Sequence, residues 1–260
     1  MRRATRGFSL VELLVVIGII TLLLAILLPV ISHVRRTAHA TVCLTHLQQL
    51  DASYHMYLNA NRNHSFPFME DVTSPAWFEL LQPYNGSIKK TLLCPEATEA
   101  GNMLGGAFKA WGPWRTYVKG GPDWVTRGVF VGSYGANNWI FEPPANQRAG
   151  ISQWYAQRMI EMPAPHSDRV PLFGDCIYPW AAPDSTDTAP HSLINPLPYY
   201  SGIGPKPPGP GGQMAYYCLD RHFHAVNIAF LDGHAERITL EDLWKLWWNS
   251  SFQPTQIVLP

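Results

Sequence analysis

The chain has 260 residues, 47% of them apolar and 15% charged, which is enough to bury one sizeable core and too apolar to be disordered throughout. Nineteen Lys and Arg balance nineteen Asp and Glu, so no net field draws the chain onto a polyphosphate, and a nucleic-acid partner is not expected. Twenty Gly and twenty-three Pro, with ten Trp, eleven Tyr and eleven Phe, point away from a helical bundle and toward a turn-rich exterior.

From Phe8 to Ile31 the one ionisable side chain is Glu12, and the stretch from Leu13 to Leu28 holds nothing more polar than Gly18 and Thr21. As a helix this stretch reaches roughly 36 Å, enough to span a hydrocarbon core of about 30 Å. Arg2, Arg3 and Arg6 precede it without an acid among them. The positive-inside rule therefore predicts a cytoplasmic N-terminus and a single pass through a membrane, with the chain after Ile31 on the far side. A cleaved secretory signal is the competing reading, but its apolar region is normally shorter, and the nearest small-x-small site, Ala38-His39-Ala40, lies beyond Pro29, Arg35 and Arg36. Glu12 is the odd residue, because a carboxylate in an apolar span costs free energy and usually marks function.

The run Arg6-Gly7-Phe8-Ser9-Leu10-Val11-Glu12-Leu13-Leu14-Val15-Val16-Ile17 resembles the cleavage and methylation signal of type IV prepilins and type II secretion pseudopilins. The shared features are a short basic leader ending in Gly7, Phe8 at the new N-terminus, Glu12 as the fifth mature residue, and unbroken apolar helix after it. The resemblance implies that a prepilin peptidase cuts between Gly7 and Phe8 and methylates the amine of Phe8. It also implies that Glu12 pairs with the N-terminal amine of a neighbouring pilin-like subunit. Loss of residues 1–7 removes three arginines and leaves sixteen basic side chains against nineteen acidic ones.

Pro29 is expected to bend the helix without ending it. Cys43, Leu47, Leu50, Tyr54 and Tyr57 recur at steps of four, three, four and three, which predicts one apolar stripe on an amphipathic continuation, residues 32–61. The fold expected is α+β and pilin-like: a long N-terminal helix packed on an antiparallel sheet in an extracytoplasmic domain, 62–260. Within 62–178 no long helix is legible, and 129–131 and 170–173 are apolar strand fragments. The Pro-rich stretch 179–213 reads as an irregular surface insertion. Val226 to Leu231, Asp232-Gly233 and His234 to Ile238 predict a hairpin with a two-residue turn, both turn positions at positive φ. Thr239 to Asp242 then opens a short helix with Leu240, Leu243, Trp244 and Trp247 on its inner face.

His222 is followed after nine residues by Asp232-Gly233, and this run resembles the C-terminal His-x9-Asp-Gly signature of large prepilin-like proteins. The segments from Cys43 to Leu50, Leu93-Cys94-Pro95, and Gly132 to Asn137 resemble the same family in order.

All four cysteines follow the membrane span, on the side where disulfides persist. Sequence permits three connectivities. Cys43 with Cys94 is preferred because it staples the long helix to the first sheet segment, which leaves Cys176 with Cys218; buried free thiols are the alternative. No zinc-ribbon CxxC occurs. His222, His224, Asp232 and His234 are weak metal candidates, with Asp232 already explained by its turn. No other cofactor is expected, and the absence of Gly-x-Ser-x-Gly, HExxH or a phosphate-binding loop predicts no enzyme. The rival reading is a membrane-anchored extracytoplasmic enzyme or glycan-binding module, with the Trp residues and the His cluster as its surface.

Overall fold

The structure, a computed structural model, describes residues 9–68, 74–101, 103–120, 123–143, 153–195 and 212–259. Its contacts divide the chain into two units, Met1–Ala38 and His39–Pro260. A single helix, α1 (Leu10–Ala60), runs 51 residues with Pro29 inside it. In the first unit every Leu, Ile and Val from Leu10 to Val34 is between 45% and 79% exposed, and the helix is long and apolar enough to cross a membrane.

In the second unit the stripe expected on α1 is the buried one: Cys43, Leu47, Leu50, Tyr54 and Tyr57 all face inward. Tyr54 packs edge-on to Phe173 at 6.2 Å between centroids and against Phe66 at 5.0 Å. Its hydroxyl is satisfied by Ser65 at 2.8 Å, as a buried phenol requires. Two one-turn helices follow, α2 (Trp77–Leu80) and α3 (Ile88–Thr91).

Two antiparallel strands, β1 (Trp111–Gly120) and β2 (Asp123–Gly132), form a separate two-stranded sheet. The main sheet has five strands in the order β5-β3-β4-β6-β7, from β3 (Tyr134–Asn137), β4 (Pro171–Asp175), β5 (Trp180–Ala181), β6 (Ala225–Phe230) and β7 (Ala235–Thr239). It is antiparallel except where β5 lies parallel to β3. A further one-turn helix, α4 (Gln153–Ala156), lies between β3 and β4. The fold is thus α+β, a long N-terminal helix whose second half packs on a largely antiparallel sheet. β3, β4 and β6 are buried at every position, because the aromatic core that includes α1 covers one face and a second cluster around Tyr217, Trp244 and Trp248 the other.

Three expectations need correction. The 231–234 connection is longer than a two-residue turn: Gly233 N–H donates to Phe230 O at 3.0 Å and Phe230 N–H to His234 O at 2.9 Å. Gly233, at φ +100, is the one left-handed residue in it. This is a three-residue loop with a bulge at glycine, so Asp232 needs no positive φ. The start of the Pro-rich stretch is core and not a surface excursion. Trp180–Ala181 is an edge strand, Pro183 is buried, and its carbonyl accepts from Trp139 Nε1 at 2.7 Å and Asn249 Nδ2 at 3.1 Å. Residues 196–211 lie outside the described residues. The helix after β7 is a 3-10 helix, Leu240–Lys245, with Leu240, Leu243 and Trp244 buried as expected, whereas Trp247 lies beyond it and is half-buried.

Candidate functional site

Gly7 and Phe8, the residues expected at the processing site, lie outside the described residues. Ser9 caps α1: its hydroxyl accepts from Val11 N–H at 3.2 Å, while Glu12 Oε2 accepts from Ser9 N–H at 2.9 Å. Ser9 and Glu12 thus share the reciprocal spacing of a capping box, which satisfies donors that a helix N-terminus leaves open. The carboxylate is held one peptide bond from Phe8, in the first turn, where the helix dipole favours negative charge. The sequence carries this Ser-x-x-Glu signal in plain view, although the prepilin-type spacing alone accounts for Glu12.

The second site is buried in the His39–Pro260 unit. Cys43 sits on the inward stripe of α1. Cys94 follows α3 in a reverse turn closed by Ala97 N–H on Cys94 O at 2.9 Å. Asp175 ends β4 directly opposite Tyr134 on β3. His222 precedes β6 in a turn closed by its own N–H on Ala225 O at 3.0 Å, with Phe223 and His224 in left-handed backbone. One donor atom from each of Cys43, Cys94, Asp175 and His222 lies within 4.8 Å of the others, and all four residues are buried. Cys43 Sγ is 3.4 Å from Asp175 Oδ1, Cys94 Sγ 3.4 Å from His222 Nε2, and His222 Nε2 3.4 Å from Asp175 Oδ2.

A shell of donors fixes these groups. Arg221, wholly buried, donates to Asp175 Oδ1 at 2.9 Å and to the carbonyls of Ser133, Gly106 and Ala107 at 2.6 to 2.9 Å. Asn227 N–H reaches Asp175 Oδ2 at 2.8 Å, and Tyr134 OH reaches Cys43 Sγ at 3.1 Å. Asn227 Nδ2 also donates to Ala40 O, which ties β6 to the helix.

Electrostatics follow from the burial and the pairing. Burial opposes ionisation of Asp175, but the charges of His222 and Arg221 outweigh it and hold the carboxyl down at about 2. Burial likewise opposes a charged His222, yet the Asp175 carboxylate lifts the imidazole to about 9. Cys43 is pushed well up, first by burial and then by its hydrogen bond to Cys94. Cys94 goes the other way: burial is offset by hydrogen bonds from Cys43 and His222 and by the Arg221 charge. Two thiols, an imidazole and a carboxylate form a donor set suited to a transition metal of the zinc class.

The arrangement revises the sequence-based site. Of the hairpin histidines and acids, His222 alone joins the cluster. His224 pairs with Glu241 at 2.9 Å, and His234 pairs with Asp232 at 2.5 Å at the turn while stacking on Phe230. The four cysteines are free thiols, not two disulfides. Cys43 and Cys94 do meet, each engaged with a further polar partner, whereas Cys176 and Cys218 pack as small apolar groups in the second core cluster. Asp175 and Arg221 had no role in the sequence reading. An acid closing a buried apolar run at 170–174 is the signal that was available. Among the described residues, Trp77, Trp111, Trp139, Trp244 and Trp248 are fully buried, so these rings build the core and offer no sugar platform.

Compared with known families, residues 2–28 match the prokaryotic N-terminal methylation motif. No curated protein and no solved structure matches the chain. The match covers the basic leader, the Gly7-Phe8 junction, Glu12 and the apolar half of α1, the residues from which the prepilin resemblance was drawn. Over that N-terminal segment the chain is similar to type IV prepilins and type II secretion pseudopilins.

Proposed function

We propose that this chain is a structural subunit of a type IV pilus-like or type II secretion-like filament. It is stored in the inner membrane with its N-terminus in the cytoplasm and its folded domain outside. Prepilin peptidase cuts between Gly7 and Phe8 and methylates Phe8, and the mature subunit has no catalysis of its own. The observation that carries this reading is the exposed apolar stretch of α1 from Leu10 to Val34, most of which lies within the methylation motif. Burying one such side chain is worth about 1.5–3 kcal/mol, so a helix of them is stable only in lipid or against other helices.

Assembly then exchanges lipid for neighbouring α1 helices. Glu12, already held at the helix start by Ser9, supplies the negative charge for the amine of an adjacent Phe8. Glu12→Ala is expected to be cleaved normally yet to leave subunits in the membrane fraction, with filaments in sheared-surface preparations reduced at least about ten-fold. Normal filaments from that variant contradict the pairing.

A further inference from the structure

We propose that Cys43, Cys94, Asp175 and His222 bind one divalent metal ion of the zinc class as a closed, four-ligand structural site. The geometry is that of a coordination shell. Zinc holds sulfur at about 2.3 Å and nitrogen or oxygen at about 2.0–2.2 Å, so the edges of its tetrahedron run about 3.3–3.8 Å. Three contacts in this cluster are 3.4 Å each, from His222 Nε2 to Cys94 Sγ and Asp175 Oδ2 and from Cys43 Sγ to Asp175 Oδ1, and one donor atom from each residue lies within 4.8 Å of the others. An ion at the centre requires the longest of these separations to close by no more than about an ångström.

Two other uses of these residues fit less well. In a Cys-His-Asp catalytic arrangement the carboxylate holds one ring nitrogen so that the other faces the sulfur. Here the same Nε2 faces both Cys94 and Asp175, and Nδ1 has no hydrogen-bond partner. A Cys43–Cys94 disulfide uses two of the four convergent donors and leaves His222 and Asp175 aimed at spent sulfur.

The surroundings match an ion as well. With both sulfurs as thiolates, the carboxylate ionised, the imidazole neutral and Arg221 charged, the buried cluster carries two negative charges, which one divalent cation cancels. Tyr134, Arg221 and Asn227 already hold the ligands from outside, the part that such partners play around a metal. The ion joins α1, the turn after α3, the end of β4 and the segment before β6. Its function is to lock the helix to the sheet, whichever filament the chain enters.

The test uses the full chain, purified in detergent without chelator. Elemental analysis is expected to find one zinc per chain. Cys94→Ser and His222→Ala are expected to lose it at least about ten-fold, while His224→Ala keeps it. Should the ligand variants fail to fold, the wild type decides alone: cobalt(II) exchanged into it is expected to show the near-ultraviolet charge-transfer band of a cobalt–thiolate bond. Substoichiometric metal with no such band overturns the proposal. So does a mass two hydrogens lower with a Cys43–Cys94 cross-linked peptide, or zinc retained in folded Cys94→Ser.

Discussion

Gly233 and Asp51 meet where the β6–β7 hairpin tip rests on α1. A Cβ on Gly233 stands 3.4 Å from Asp51 Oδ2 at φ +100, so contact is tolerable and backbone strain is the dominant cost. Gly233→Ala should lower stability by about 1–2 kcal/mol, readable as a lower midpoint in thermal denaturation. Asp51 is buried, and that burial, with the nearby Asp232 charge, raises its carboxyl to about 7 against the opposing His234. His55 Nε2 is 3.4 Å away, although neither it nor Asp51 Oδ1 finds a well-aligned partner.

A carboxyl raised on folding binds its proton more tightly in the folded chain. Its contribution is therefore full below the unfolded value of about 4 and is lost as pH rises through about 7. Asp51→Asn should thus gain on the order of 1–2 kcal/mol over wild type at pH 8 and nothing at pH 4, with paired denaturation curves as the check. The Asp-Gly turn was legible in the sequence because glycine's need for positive φ is local. The raised Asp51 was not, since it depends on a hairpin near the far end of the chain touching one helix position.

The elements were legible in proportion to how locally they are specified. The apolar span and the Cys43–Tyr57 stripe need only helical periodicity, and both are where the spacing puts them. The β1–β2 ribbon was missed beyond 129–131, because Gly112, Pro113 and Gly128 break its alternation and the register shifts between Thr116 and Tyr117. The Pro-rich stretch misled for a different reason. Proline excludes central strands but not burial, and carbonyls such as that of Pro183 serve as acceptors for buried Trp139 and Asn249. The stripe on α1 carries its own prediction. Leu47 is fully buried, and Leu47→Ala should cost about 2–5 kcal/mol through lost contacts and the cavity left behind. Limited proteolysis of the full chain should then release fragments from the His39–Pro260 unit at concentrations of protease that spare the wild type.

On the scale of the whole molecule, separate landmarks turn out to be one structure. The Cys43 helix segment, Leu93-Cys94-Pro95, Tyr134 in the Gly132–Asn137 run, and Arg221-His222 all converge on Asp175. Each landmark was legible in the linear sequence; their convergence was not, because it depends on a sheet order that interleaves strands from distant parts of the chain. Asp232-Gly233 belongs to the hairpin tip instead, so the two ends of the His-x9-Asp-Gly run do different work. His222 lies at the buried cluster, and Gly233 closes the turn.

In the proposed function, processing at the other end of the chain is what makes the protein a subunit. Gly7 replaced by Phe should leave the leader attached and block assembly, seen as a slower-migrating band confined to membranes. The most direct measurement is the intact mass of the wild-type chain isolated from the envelope. The account predicts a mass short of residues 1–7 and larger by one N-terminal methyl group on Phe8. A mature protein that retains Arg2, Arg3 and Arg6, or one cut beyond the apolar helix, contradicts it.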